Sequence, residues 1–190
     1  MAFTRIPTRL DGPVLLAPAV FADDRGFFAE TYRRELLIEH GIDTDFVQDN
    51  HSRSARGVVR AIHFQRPPGC GKLVRCGRGS IFDVVVDLRP GSPTFAQWEG
   101  HELSGENMHQ LWIPPGFGHG FCVLSEVADV LYKQDRYYSA EAETGIAWDD
   151  PDVGIAWPLA ADEIVISARD AGAPALADIR EDLPSGESNG

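Results

Sequence analysis

The stretch Ser80–Arg89, SIFDVVVDLR, decides the fold. At period two, Phe82, Val84, Val86 and Leu88 share one face while Asp83, Val85 and Asp87 share the other, the alternation of a strand. Working outward, short β-rich runs recur between Gly, Pro and Asp punctuation. On the N-terminal side these are VLLAPAVF (14–21), GFFAETY (26–32), GVVRAIHFQ (57–65) and KLVRC (72–76). On the C-terminal side they are TFAQWEGHEL (94–103), HQLWIPP (109–115), GHGFCVL (118–124) and ADVLYKQDRYY (128–138). Many short strands with frequent turn signals predict a mainly β fold, an antiparallel sandwich or barrel with few helices. ETYRRELLIEHG (30–41) is the helical stretch, with Gly41 placed as a C-cap. DDPDVGIAWPLAADE (149–163) has turn chemistry throughout and reads as a loop.

The chain has 190 residues, 43% hydrophobic and 24% charged, with a formal net charge of −12. This length predicts one domain able to bury a core, spanning 1–180, followed by a polar, frayed tail at 181–190. The acidic balance argues against nucleic acid or an anionic membrane surface as partner, so an anionic ligand must be held by a local cluster of Arg and Lys. No apolar run is long enough to span a bilayer, and the N-terminus lacks the apolar centre of a signal peptide. Cys70, Cys76 and Cys122 are an odd number without metal-ligand spacing; a reducing cytoplasm is the expected compartment, with these as incidental thiols.

The run Gly57–Arg75, GVVRAIHFQRPPGCGKLVR, departs from a plain core strand. Period two puts Ala61, His63 and Gln65 on one face, and Lys72 and Val74 on one face of the next strand, which the short turn makes an expected neighbour. Arg60 stands three residues before His63, so both reach one site only if Arg60 lies at a strand end or a bulge. A His, a Lys and a Tyr converging inside a barrel describe proton transfer beside a carbonyl. His40, His51, His101 and His109 lie in or beside polar segments and are expected at the solvated surface. No His-x-His occurs, so no metal is expected; Asp23-Asp24 and Asp149–Asp152 lack the alternating ligands of a calcium loop and read as turns. No phosphate-binding Gly loop and no Gly-x-Ser-x-Gly elbow is present.

A set of motifs, in order, resembles one family: DDRGFFAE (23–30), VQDNHSRS (47–54), VVRAIHFQRPP (58–68), GKLVR (71–75), GSIFDVVVDLRPGSPTF (79–95), LWIPPGFGHGFCVL (111–124), LYKQDRYY (131–138), GIAWDDPDVGIAWP (145–158) and ISARD (166–170). The sequence is similar to the dTDP-4-dehydrorhamnose 3,5-epimerases across most of its length. The resemblance implies a cupin-type jelly roll without metal or other cofactor, a homodimer, and a dTDP-linked 4-keto-6-deoxy sugar inverted at C3 and C5. It also implies roles, motif by motif. His63 is the base, paired with Asp170; Lys72 lies near the keto oxygen, and Tyr132 is the acid on the opposite face. Arg25, Phe28, Glu30, Gln48, Asn50, Arg60, His119, Tyr138, Glu143 and Arg169 line the substrate site.

Two positions depart from the family pattern. Ala61-Ile62 stands where Gly-Leu is usual, beside the implied base and expected at the pocket floor. Arg169 stands where lysine is frequent, which keeps the charge. The alternatives are a 3-epimerase alone, a 4-keto-hexose isomerase, or a non-catalytic cupin that binds a sugar nucleotide. Retention of His63, Lys72, Tyr132 and Asp170 together favours the epimerase.

Overall fold

The computed structural model describes residues 2–183. In chain order the first strands are β1 (Phe3–Ile6), β2 (Val14–Pro18), β3 (Val20–Asp23) and β4 (Gly26–Ala29), then helix α1 (Arg34–Ile38). The middle of the chain supplies β5 (Gln48–Ala55), β6 (Val58–Gln65), β7 (Lys72–Arg78), β8 (Ser80–Asp87) and β9 (Trp98–Ser104). Next come β10 (Gln110–Ile113), β11 (Phe117–Val123), β12 (Val127–Gln134) and β13 (Glu143–Gly145). The last elements are β14 (Val165–Ile166) and helix α2 (Ala168–Ala171), with 3-10 turns at Ala161–Glu163 and Leu176–Asp182.

Two sheets face each other. One has the order β1-β2-β10-β7-β12-β5; the other runs β13-β6-β11-β8-β9, with β14 added beside β6. All pairings are antiparallel except β14 with β6, so the mainly β expectation holds. The alternation along Ser80–Arg89 separates two cores. Ile81 and Val85 point between the sheets, against Val74, Leu111, Phe121 and Val130. Val84, Val86 and Leu88 point outward, where Ile146, Val153, Leu176, Ile179 and Leu183 cover them. A third cluster, around Leu16, Leu37, Ile42 and Trp112, backs the other sheet. Val84, Val85 and Val86 are all fully buried, each contributing ~1.5–3 kcal/mol relative to exposure. That is why β8 is apolar on both faces yet remains a strand.

Several expectations shift. VLLAPAVF divides into β2 and the outlying hairpin strand β3, and ADVLYKQDRYY stops pairing at Gln134. The helix is only Arg34–Ile38, although Gly41 does close it, at φ +83°, with the Ile42 N–H bonded to the Leu37 carbonyl. Strand β5 was not anticipated, because QDNHSRSA is polar on both faces. β6 and β7 do not pair; they belong to opposite sheets, so residues 66–71 cross the sandwich and set His63 across from Lys72. His101 is not solvated: its side chain is 13% exposed, beside Glu99. Leu183 packs into the outer core, and the remainder of the expected tail, 184–190, lies outside the described residues.

Candidate active site

A cavity of about 390 Å³ opens between the sheets. One wall comes from β6, β11 and β13, with Arg60, His63, Phe64, Gln65, His119, Phe121 and Glu143; the other comes from β5, β7 and β12, with Gln48, Asn50, Ser52, Lys72, Tyr132 and Gln134. Tyr138 and Arg169 complete the lining. A larger surface cleft, about 620 Å³, lies beside Arg9, Trp98 and Asp152, but its Arg9 guanidinium is held by Gln97 and the Trp98 carbonyl. The inter-sheet cavity holds the titratable groups and is the candidate site.

The β6–β11 ladder explains how Arg60 and His63 share it. His63 pairs with His119 while Arg60 pairs with Phe121, so three steps along β6 match two along β11. This bulge turns Ala61 and Ile62 into the outer core, where they are 1% and 0% exposed. Ala61 therefore does not share the His63 face, and the Ala61-Ile62 departure lies behind the cavity floor instead of in it. Opposite the bulge, a Cβ on Gly120 would sit 2.5 Å from Ala61 Cβ, so only glycine fits there.

Asp170 arrives from far along the chain. The parallel register of β14 on β6, Ile166 beside Val59, carries α2 toward His63. Ser167 caps that turn by accepting the Asp170 N–H, and His63 Nε2 donates to Asp170 Oδ1 at 2.8 Å. Burial works to raise the Asp170 carboxyl, but the His63 bond and charge, the Ala61 N–H and Arg169 together hold it below the usual carboxylate range. With Nε2 committed, Nδ1 is the imidazole's free lone pair.

A second pair lies alongside. His119 Nε2 donates to Asp83 Oδ2 at 2.9 Å, with Asp83 fully buried. Burial pushes the His119 pKa down against the opposing pull of Asp83, and Lys72 and His63 depress it further. Burial likewise lowers Lys72, opposed by Cys70, Glu143 and Asp83. Tyr132 is raised, by burial first and then by Glu143. Among the described residues, neither the Lys72 ammonium nor the Tyr132 hydroxyl has a hydrogen-bond partner.

At the mouth, the Tyr138 hydroxyl and Arg169 both donate to Glu143 Oε2, at 2.8 and 2.6 Å. Arg60 donates twice to Ser54 Oγ. Of the anticipated residues, His63, Lys72, Tyr132, Gln48, Asn50, Arg60, His119, Tyr138, Glu143 and Arg169 line one cavity, with Asp170 behind His63. Arg25, Phe28 and Glu30 do not. Phe28 and Arg25 lie on the exposed β3–β4 hairpin, where Arg25 pairs with Asp23; Glu30 follows it and pairs with Arg33. Asp83, Ser52 and Gln134 were missed. Asp83 carried a readable signal, a carboxylate flanked by apolar residues in mid-strand. Among the described residues no three His, Cys, Asp or Glu side chains group as metal ligands, and no helix is long and apolar enough to cross a membrane.

Comparison with known proteins gives the family. Residues 7–178 match the family model described as dTDP-4-dehydrorhamnose 3,5-epimerase. The protein of that name from Pseudomonas aeruginosa is 53% identical over 174 residues, 90% of this chain and 96% of its own. That from Methanothermobacter thermautotrophicus is 50% identical, covering 88% of this chain and 91% of its own. The crystal structure of dTDP-6-deoxy-D-glucose-3,5-epimerase from Legionella pneumophila, in complex with dTDP-4-keto-L-rhamnose, superimposes with a TM-score of 0.94 at 46% identity, over 98% of this chain and all of that one. The chain belongs to the dTDP-4-dehydrorhamnose 3,5-epimerase family.

Proposed function

We propose that this protein inverts C3 and C5 of dTDP-4-keto-6-deoxyglucose through enolate intermediates, giving dTDP-4-keto-L-rhamnose. The observation that carries the reading is the placement of His63, fixed by Asp170, on one wall and Tyr132 on the other, with Lys72 on the Tyr132 side. A C4 ketone acidifies the hydrogens on C3 and C5, because the carbanion left behind is an enolate. His63 Nδ1 accepts the proton, and Asp170 holds the imidazole's orientation and steadies the imidazolium. The unpaired Lys72 ammonium is available to the C4 oxygen as charge grows there; an oriented donor of this kind contributes ~3–4 kcal/mol in comparable sites. Inversion then requires a proton on the opposite face. Tyr132, whose phenol burial keeps protonated, is the donor. Arg60 and Arg169 suit the diphosphate, and the Tyr138 ring suits the base.

The test is a proton NMR time course in heavy water with dTDP-4-keto-6-deoxyglucose. Deuterium should enter at both C3 and C5 as product forms. Exchange at C3 alone would leave a 3-epimerase, and no exchange at all would leave a binding module.

The functional unit is a homodimer. Support comes from the β3–β4 hairpin, where Phe21, Phe27 and Phe28 are 54%, 62% and 58% exposed and, among the described residues, join none of the hydrophobic clusters. A second copy that took this hairpin would bring Arg25, Phe28 and Glu30 to the neighbouring cavity. Sedimentation should give a dimer; a fully active monomer at assay concentration refutes it. Three buried free thiols fit a reducing, cytoplasmic setting.

A further inference from the structure

We propose that Gln134 is a positioning residue, which sets the wall presented by Gln48 and Asn50 and the seat of Tyr138 through a one-way chain of carboxamides. The proposal rests on the substrate reading above. Gln134 lies on β12, on the same face as Tyr132, and is 3% exposed. Its Nε2 donates to Sγ of the buried Cys70 at 3.2 Å, which turns Oε1 toward Asn50. Asn50 Nδ2 donates to that oxygen at 2.8 Å. Asn50 Oδ1 in turn accepts from Gln48 Nε2 at 3.0 Å, and Gln48 Oε1 accepts the backbone N–H of Tyr138 at 2.8 Å.

The chain has a direction. A carboxamide has one acceptor end and one donor end, so turning Gln48 or Asn50 sets oxygen against oxygen on one side and N–H against N–H on the other, while turning Gln134 sets its NH₂ against that of Asn50. The Tyr138 N–H can only donate, which fixes the orientation from the mouth, and the Cys70 sulfur accepts at the floor. Each amide oxygen is thereby engaged, while Gln48 and Asn50 each keep one uncommitted N–H. The wall made by β5 is consequently biased toward donors, suited to carbonyl, hydroxyl or phosphate oxygens of a ligand. The same bonds tie a residue beside the proposed acid to the aromatic at the mouth, whose hydroxyl reaches Glu143.

The decisive variant is Gln134→Met, similar in length but without the amide. KM for the keto sugar nucleotide and Kd for dTDP should both rise about five- to tenfold while kcat falls less than threefold, since the loss is in binding and posture. Combined with Gln48→Ala, it should add little, because both cut one chain. Should Gln134→Met not fold, Cys70→Val removes the terminal acceptor and should raise KM, and Cys70→Ser, which returns an acceptor, should recover most of that loss. Unaltered KM and Kd, additive effects in the double variant, or a lowered Tm with wild-type KM in the surviving enzyme would each overturn the proposal. Wild-type protein that neither binds dTDP nor turns over the sugar overturns the substrate reading, and this one with it.

Discussion

His63 and His119 are partners across the β6–β11 ladder, and each gives its Nε2–H to a carboxylate, yet the two pairs sit in different surroundings. The His63 side chain is 24% exposed and its Asp170 comes from a short helix laid on late in the chain. The His119 side chain is 9% exposed and its Asp83 comes from the middle of β8, fully buried. Hydrogen bonding alone does not distinguish them; access does. An imidazole that keeps a lone pair at a cavity wall can take and return a proton. His119 touches the same cavity but is nearly buried, and burial first, then Lys72 and His63, biases it toward the neutral form.

The largest expected effect tests that contrast directly. His63→Asn should lower both epimerisation and isotope exchange by about 10²–10⁴-fold, the usual range for removing a general base. Asp170→Asn should follow, with a loss of about 10²-fold, since the imidazolium then has no carboxylate to steady it. His119→Asn should cost less than either. NMR in heavy water measures all three, and a larger loss at His119 than at His63 would reverse the assignment.

Tyr132→Phe sharpens the comparison from the other wall. Its ring and packing remain while the proposed donor goes, so enolate formation persists and the proton returns from the face it left. Exchange at C5 should outpace inversion by about tenfold or more. An unchanged ratio with good activity would mean that another group, Tyr138 or a water, is the acid.

The smallest effect is in stability. The folded-state pKa of His119 is lowered, chiefly by burial, so the unfolded chain takes up a proton there more readily. Its contribution is fully present above the unfolded value, near 6.5, and is lost as pH falls from there toward the folded value. Denaturant titrations should show stability declining below about pH 6.5, and His119→Gln should flatten that limb. An identical limb in the variant would place the titration elsewhere.

Much of this was legible in the chain, for identifiable reasons. β8 and β11 announce themselves because burial on either face leaves apolar residues at every second position or at all of them. β5 did not, although its polar residues alternate faithfully: Gln48, Asn50 and Ser52 look into the cavity while Asp49, His51 and Arg53 do not. Hydrophobic periodicity finds strands that bury apolar surface, and a strand lining a wet cavity buries little. Arg60 and His63 were placed together only on condition of a bulge, which alternation cannot reveal because the extra residue is defined by the partner strand. Asp83 was overlooked although it broke an apolar run as plainly as His63 did. Arg25 and Phe28 were expected at the substrate site, but the exposed hairpin that carries them stands apart from the cavity of its own chain.

The bulge at Ala61 and Ile62 has one more consequence, and it concerns counting. Where two strands keep step, the side a residue faces follows from odd or even position, and insertion or loss of one residue exchanges the sides of everything beyond it. Here the ladder is already one residue out of step, and that offset is what brings a guanidinium and an imidazole to the same side. The site is therefore written partly in spacing. Many residues of suitable size could stand at 61 and 62, but shortening the segment by one would return the strand to strict alternation and turn either Arg60 or His63 to the wrong side, with every functional side chain still present in the sequence.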